Sequence, residues 1–374
     1  MNKKKRITLD DLAVEAHVST ASISMILNGK HLNRFSPETI ESVYTIARRL
    51  GYESKRAKET HHILLLVCPS VINPYFATMI QGMEQEAQDC GLQTMVITTY
   101  WNTDKERWIC EFAKDPLVVG VVFAMIPQQP QLVQKLNETL PVVAVGDKQN
   151  ELGINTVDVN NFKAGLLVGE HLLEMGHTHI AYITTSLNSQ HSARLRRYEG
   201  IKAAIKQSQR HDVKLHLFTE EISAETELHT VDIEHRTGYK LAMRCLAEKP
   251  QVTALVAIND MVAYGIIDAI KDSGHQIPEQ YSVCGFDNIY PSNFTGVGLT
   301  TVEHSIIQRG RSAVRLIYNT ITRQGGLSRE HDAGAVTRVE YQSRLIVRRS
   351  SMHRLQQKPD SVQNPGLPEN ERER

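Results

Sequence analysis

From residue 63 onward the sequence alternates short apolar runs with helical stretches, and few folds accommodate that alternation. Ile63-Leu64-Leu65-Leu66-Val67-Cys68-Pro69 is apolar throughout, as a strand buried on both faces requires. Asn73-Pro74-Tyr75-Phe76 then opens a helix with Met79, Ile80, Met83 and Ala87 at helical spacing. Further strands are expected at 92–97, 118–123, 142–145, 180–183, 215–218, 254–257 and 281–285, with helices between them. Strands alternating with helices build doubly wound parallel sheets. The span is too long for one sheet of ordinary size, so two α/β lobes are expected. Ligands of such sheets bind beyond the carboxyl ends of the strands, and a cleft between two lobes is the natural place.

The first 62 residues have a different character. Leu9, Leu12, Ala13 and Ala16 form one helical face, Thr8 is placed to cap it, and Asp11 completes a capping box. Ser19 caps a second helix over 20–27, with Ile23, Ile26 and Leu27 inward, and Asn28-Gly29 ends it. Ser36-Pro37 starts a third helix over 37–50, with Ile40, Val43, Ile46, Ala47 and Leu50 on its core face and Gly51 as its stop. Two short helices joined by a tight turn and braced by a third can set the second helix in the DNA major groove. Helix pattern alone does not separate that from a three-helix unit with no DNA role. Charge leans towards DNA: the chain is neutral overall, but residues 1–62 hold eleven Lys/Arg against seven Asp/Glu.

Several classes are disfavoured. No apolar run approaches the ~20 residues of a membrane span. The stretch after the basic Met1–Arg6 is too polar for a signal peptide, so a cytoplasmic protein is expected. Five scattered cysteines with no CxxC spacing read as buried, reduced thiols. The sixteen histidines form no HExxH pattern, and His61-His62 reads as solvated linker. No Gly-rich phosphate loop and no nucleophile elbow occurs. No catalytic residue, metal site or cofactor is therefore expected.

The head sequence Thr8-Leu9-Asp10-Asp11-Leu12-Ala13…Val18-Ser19…Ile23-Ser24…Leu27-Asn28-Gly29…Ser36…Thr39…Gly51-Tyr52 resembles the DNA-binding headpiece of the LacI/GalR (lactose-repressor/galactose-repressor) family. The body carries further landmarks in order: Asn73-Pro74-Tyr75-Phe76, Gly176-His177, Arg197-Tyr198-Glu199-Gly200, Asn259-Asp260-Met261 and Gly285-Phe286-Asp287-Asn288. The resemblance implies an all-α helix-turn-helix headpiece followed by a two-lobed, periplasmic-binding-protein-like effector domain. It implies a regulator of transcription, a repressor acting as a homodimer on a double-stranded operator, controlled by a small effector of the sugar class. Thr20, Ala21 and Met25 would face base edges. Ser19, Ser22, Ser24 and Asn28 would contact or position phosphates, Tyr52 would pack near the DNA backbone, and Thr8 is counted with the DNA contacts. The effector would meet Tyr75 and Phe76 from one lobe and Arg197, Asn259 and Asp287 from the other lobe and its hinge. Arg197 in an internal ion pair and Asp287 as a turn cap stay open as alternatives.

The sequence departs from the family pattern at informative places. Met25 stands where an arginine is usual, so the bidentate Arg–guanine contact, about 1–3 kcal/mol of discrimination, is absent and the operator should differ. His17 replaces a turn glycine and must take an unfavourable backbone geometry or distort the turn. Asn160-Asn161 and His304 replace a usual Asp-Asn and Gln, leaving the effector's identity open. The loop 30–35 either adds phosphate contacts or is simply solvated. The linker 53–62 has no leucine to wedge into the minor groove, so its hinge helix is either lost or shortened and DNA should be kinked less. Arg56, with Lys55 and Lys58, can still meet phosphates.

The expected division is head 1–52, linker 53–62, effector and dimerisation domain 63–348, and a disordered polar tail 349–374 without the heptads of a coiled coil. Within the body, one lobe is expected from 63–158 plus 287–320 and the other from 159–286 plus 321–348. The competing class is a sugar-binding protein with no DNA role, which the headpiece and the missing signal peptide disfavour.

Overall fold

The computed structural model describes residues 7–27, 34–50, 52, 62–147, 153–187, 192–324 and 335–353. In the head, α1 (Leu9–Ala16), α2 (Thr20–Leu27) and α3 (Pro37–Leu50) fall where the caps and periodicities put them. Thr8 accepts from the Asp11 amide while the Asp11 carboxylate accepts from the Thr8 amide, so the capping box is complete. Leu12, Ile23, Ile26, Val43 and Ala47 form a small buried core, against which Tyr52 packs. The Tyr44 hydroxyl donates to the Ile26 carbonyl at 2.9 Å, satisfying one acceptor near the α2 C-terminus. His17 takes the strained option expected of it: φ 55° and ψ 35°, left-handed, at the α1 C-cap.

The body holds two six-stranded sheets. The first comprises β1 (Ile63–Cys68), β2 (Gln93–Thr98), β3 (Val118–Phe123), β4 (Val142–Asp147), β5 (Asn155–Val159) and β11 (Arg338–Tyr341), in the order β11-β5-β4-β3-β1-β2 and wholly parallel. Alternation along the strands divides the core. Leu64, Leu66, Val143 and Val145 face α4 (Pro74–Asp89) and α12 (Ile306–Gln324); Leu65, Val67, Val121 and Phe123 face α5 (Thr103–Phe112) and α6 (Pro130–Asn137). The helices α4 and α12 meet nearly backbone to backbone: a Cβ on Gly82 would lie 2.4 Å from the Ile307 carbonyl oxygen, and one on Gly310 2.4 Å from that of Met79.

The second sheet comprises β6 (His179–Thr185), β7 (Lys214–Glu220), β8 (Ala254–Ala257), β9 (Ser282–Asp287), β10 (Thr300–Glu303) and β12 (Arg344–Ile346). Its order is β12-β10-β9-β8-β6-β7, parallel except for β10 against β12. The paired helices α7 (Asn161–Glu174) and α8 (Ser192–Gln207) cover one face. After the short α9 (Ala224–His229), α10 (Ile233–Glu248) and α11 (Asp260–Asp272) cover the other.

The chain crosses between the lobes three times, near residues 160, 304–305 and 342–343. Two expectations change as a result. Residues 287–303 belong to the second lobe, because β10 extends its sheet beside β9, with Thr300 opposite Cys284. Residues 338–341 belong to the first lobe, where β11 pairs with β5. The packed body also runs past residue 348. Ser350 and Ser351 are buried, and the Ser350 hydroxyl accepts from the Thr300 amide at 2.7 Å and donates to the Val283 carbonyl at 2.6 Å. Those bonds hold a stretch whose polarity reads as tail. The remainder of the expected tail, 354–374, lies outside the described residues, as do linker residues 53–61. No helix among the described residues is long and apolar enough to cross a membrane.

Candidate functional site

A cavity of about 210 Å³ opens between the lobes at the carboxyl ends of β3, β4, β5, β8 and β9. Tyr75, Phe76, Arg197, Asn259 and Asp287 all line it. Tyr75 and Phe76 occupy the first turn of α4, which Asn73 caps by accepting from the Tyr75 amide at 2.9 Å, with Pro74 in the first helical position. Their rings meet edge to face, 5.1 Å between centroids.

The Arg197 guanidinium is buried, and each of its three nitrogens has a protein partner. Nε donates to Asn161 Oδ1 at 2.9 Å, Nη1 to the Ile258 carbonyl, and Nη2 to His304 Nε2 at 3.2 Å. Asp287 Oδ1 lies 3.5 Å from Nη2, and the guanidinium stacks over Phe286 at 4.6 Å. Arg197 and Asp287 therefore form an internal ion pair and line the cavity together. A guanidinium only donates, so His304 Nε2 must accept and its proton must sit on Nδ1, which donates to Ser343 Oγ at 2.9 Å. Burial, reinforced by Arg197 and Arg309, holds the His304 pKa well below that of an ordinary histidine and keeps the ring neutral. His304 and Ser343 lie at the second and third lobe crossings and Asn161 just after the first, so Arg197 is bonded to the pivot on which the lobes turn. Burial raises the Asp287 carboxyl well above the usual carboxylate range even with Arg197 beside it, and its backbone takes φ 109°.

Glu234 is a site residue that the sequence reading missed. Its Oε2 accepts from Asn73 Nδ2 and its Oε1 from Asn259 Nδ2, each at 2.7 Å, so one carboxylate joins the first lobe to the second. Asn259 thereby does two jobs, because its Oδ1 also caps α11 by accepting from the Val262 amide. Burial raises the Glu234 pKa, with Asn259, Arg194 and Asn73 opposing. In sequence, an acid in the first turn of a helix reads as an ordinary partner of the helix dipole, and nothing local shows what it faces. Arg309 on α12 was missed for a similar reason: it sits in an amphipathic stretch full of arginines, yet it is fully buried and lines the cavity.

At the head, Ile23 and Ile26 turn inward, and the opposite face of α2 carries Thr20, Ala21, Ser24 and Met25, with Ala21 exposed. The Ser19 hydroxyl accepts from the Ser22 amide at 3.1 Å and bonds the Ser22 hydroxyl at 2.8 Å; the Thr20 hydroxyl donates to Asp10 at 3.1 Å. These bonds fix the rotamers of small side chains on the face a groove would meet. Asn28 and Arg56 lie outside the described residues.

The sequence profile described as "Periplasmic binding proteins and sugar binding domain of LacI family" matches residues 60–346, more than three quarters of the chain. The chain belongs to the LacI family. Among relatives of this LacI-family chain, the "HTH-type transcriptional repressor PurR" of Haemophilus influenzae is 28% identical over 352 residues, 92% of this chain and 98% of that protein. An alignment of that length exceeds the body alone, so the head takes part in it. The "Ribose operon repressor" of Halalkalibacterium halodurans is 28% identical over 322 residues, 85% of this chain and 91% of its own. Solved LacI-family structures share the fold. A regulator from Enterococcus faecium with bound ribose gives a TM-score of 0.64 at 23% identity, over 78% of this chain and 99% of that one. A complex of the transcriptional regulator CelR with cellobiose gives 0.63 at 22%, over 92% and 100%.

Proposed function

We propose that this LacI-family chain is a cytoplasmic, homodimeric repressor of transcription, without catalytic activity, whose grip on a DNA operator responds to a sugar or sugar derivative in the inter-lobe cleft. The observation that carries the reading is one chain holding both a braced helix-turn-helix and a cavity whose walls come from two lobes. The relatives add to it: they are named as transcriptional repressors, and related structures hold ribose and cellobiose.

In this reading, Thr20, Ala21 and Met25 meet base edges, and Thr8, Ser19, Ser22, Ser24, Asn28, Tyr52 and Arg56 meet or position the backbone. The apolar Met25 side chain favours contact with a thymine methyl over a guanine edge. Tyr75, Phe76, Arg197, Asn259 and Asp287 hold the effector, joined by Glu234. Two heads on one near-palindromic site require a dimer. The exposed Met95 and Val96 on the edge strand β2, with exposed Val71 and Ile72 just before α4, supply a first-lobe face suited to a second copy. An effector that bonds Arg197 on one side and packs on Tyr75 on the other draws the lobes together about the three crossings and changes the spacing of the heads. A coupling of about 1–3 kcal/mol shifts operator affinity ~5–150-fold. The head spans 1–52, the linker 53–62 and the effector domain 63–351.

The test is selection of duplexes from a random pool by the purified chain, followed by gel shifts across a salt series. Enrichment of one near-palindrome is expected, with affinity falling steeply as salt rises and disappearing when residues 1–62 are deleted. A chain that prefers no duplex at any salt concentration refutes the reading.

A further inference from the structure

The first-lobe wall of the cleft holds a buried cation that the fold leaves unsatisfied. Arg309 lies on α12 beside Gly310, at the tight crossing with α4, and its side chain is fully buried. Nη1 donates to the Tyr75 hydroxyl at 2.8 Å. Nε and Nη2 have no hydrogen-bond partner, and no ion pair joins Arg309 to a carboxylate among the described residues. The contrast with Arg197 across the cleft is direct, since every nitrogen of that arginine is engaged by the protein. Asp158 lies near enough for the Arg309 charge to be felt, and Asp147 shares the cavity lining, but no hydrogen bond or ion pair joins either to Arg309. Glu234 is held between Asn73 and Asn259, Asp287 pairs with Arg197, and one oxygen of Asp158 takes the Thr156 hydroxyl.

The unsatisfied groups are not scattered. Nε–H and Nη2–H lie on one edge of the guanidinium and point the same way, a parallel fork that fits the two oxygens of a carboxylate or phosphate. An apolar residue would fill the same place between the helices without leaving buried N–H donors of a charged group unbonded, which is unfavourable. The charge makes physical sense if something entering the cavity completes it. A neutral sugar offers the two N–H groups hydroxyl lone pairs but no charge; an anion supplies two acceptor oxygens together with a counter-charge in direct contact.

We propose that Arg309 is an effector contact that receives an anionic group, carboxylate or phosphate, and so makes the cleft selective for acidic sugar derivatives over their neutral counterparts. The inference rests on the cleft being the effector site. In the bound state the anion takes the Nε/Nη2 edge, the sugar ring lies against Tyr75 and Phe76, and its hydroxyls reach Arg197 and Asp287.

The experiment uses the full chain and matched pairs of probes: ribose with ribose 5-phosphate, glucose with gluconate and glucuronate, and galactose with galacturonate. Thermal shift ranks them and titration calorimetry measures them. At least one acidic member should bind ten-fold or more tightly than its neutral twin, and the identity of the winner separates phosphate from carboxylate. Arg309→Met, similar in length and uncharged, should erase that preference. Without any ligand, Arg309→Met should melt at or above the wild-type temperature, because it removes an unsatisfied buried cation. If neutral sugars bind as well as acidic ones and Arg309→Met leaves their affinity unchanged, the anion contact is overturned while the cleft reading stands. If ligand-free Arg309→Met melts clearly below wild type, Arg309 is a counter-charge for Asp158 and Asp147, and the inference is overturned too. A panel in which no member of any pair binds overturns both the cleft reading and the inference built on it.

Discussion

Arg197 owes its position to a helix crossing that leaves no room for a methyl group, so Gly165→Ala should disturb the site from behind. A Cβ on Gly165 in α7 would lie 2.0 Å from the Arg197 carbonyl oxygen, 2.7 Å from its carbonyl carbon and 2.8 Å from its Cα. The contact is reciprocal, since a Cβ on Gly200 in α8 would lie 2.1 Å from the Phe162 carbonyl oxygen. Ordinary contact begins at 3.4 Å, so α8 must retreat by about 1.4 Å at the residue whose side chain lines the cleft. The obstruction is backbone, which cannot rotate away. Overpacking of a core typically costs 1–3 kcal/mol, and a backbone clash of this depth belongs near ~3 kcal/mol. A retreat of that size also exceeds the slack in the 2.9 Å and 3.2 Å bonds from Arg197 to Asn161 and His304. The assay is urea unfolding followed by far-UV circular dichroism, because the two tryptophans, Trp101 and Trp108, both lie in the first lobe. Gly296→Ala is the control, since a Cβ there meets nothing within 4 Å. The Gly165 variant should unfold at a urea concentration lower by about 1 M, taking a slope of ~3 kcal/mol per molar. If both variants unfold within 0.2 M of wild type, tight helix packing does not set the position of Arg197.

Three further outcomes follow from other parts of the molecule. Glu106 is fully buried, one of its oxygens has no partner, and burial raises its pKa to about 7 against the opposing Gln128 and Gln129 amides. The native chain therefore keeps a proton that the unfolded chain releases from about pH 4.5, and the group's contribution to stability falls as pH rises through 7. Glu106→Gln should match wild type near pH 4.5 and exceed it by up to about 3 kcal/mol at pH 8, and equal pH slopes in chemical unfolding would contradict this. His17→Gly relieves a left-handed residue and should stabilise the head by about 1 kcal/mol, read as slower amide exchange in α1 and α2; faster exchange would count against it. Ser350→Ala leaves the Thr300 amide and Val283 carbonyl unpaired in the core and should lower stability by about 1–3 kcal/mol in urea unfolding, whereas an unchanged midpoint would mean that this stretch adds nothing.

What could be read from sequence follows from what sequence encodes locally. The central strands β1, β3, β4, β6 and β8 are apolar on both faces, so the runs from Ile63, Val118, Val142, Ile180 and Ala254 announce them. The head helices carry their own caps and stops, which is why α2 and α3 match residue for residue. The short strands β5, β10, β11 and β12 were missed. They are four polar-containing segments of five residues or fewer, and they become strands only because an existing sheet offers an edge. The errors in lobe assignment have the same origin, since nothing in Thr300–Glu303 or Arg338–Tyr341 says which sheet will accept it. In the cleft, Tyr75, Phe76, Arg197, Asn259 and Asp287 were singled out by resemblance, and the structure brings them together. Glu234 and Arg309 were not, because their meaning lies in burial and in partners more than 150 residues away along the chain.

The triple crossing also bears on how the protein is made. Neither half of the body is a continuous stretch of chain. The first sheet still lacks its β11 edge and its α12 cover when residue 300 leaves the ribosome, and the second waits for β12 and Ser350. A nascent chain can assemble its small three-helix head early, but both cores stay open until residues 306–351 emerge, with apolar β-strands exposed meanwhile. Late truncations and premature stops should therefore strip both lobes at once, leaving aggregation-prone fragments in place of a half-sized binding protein.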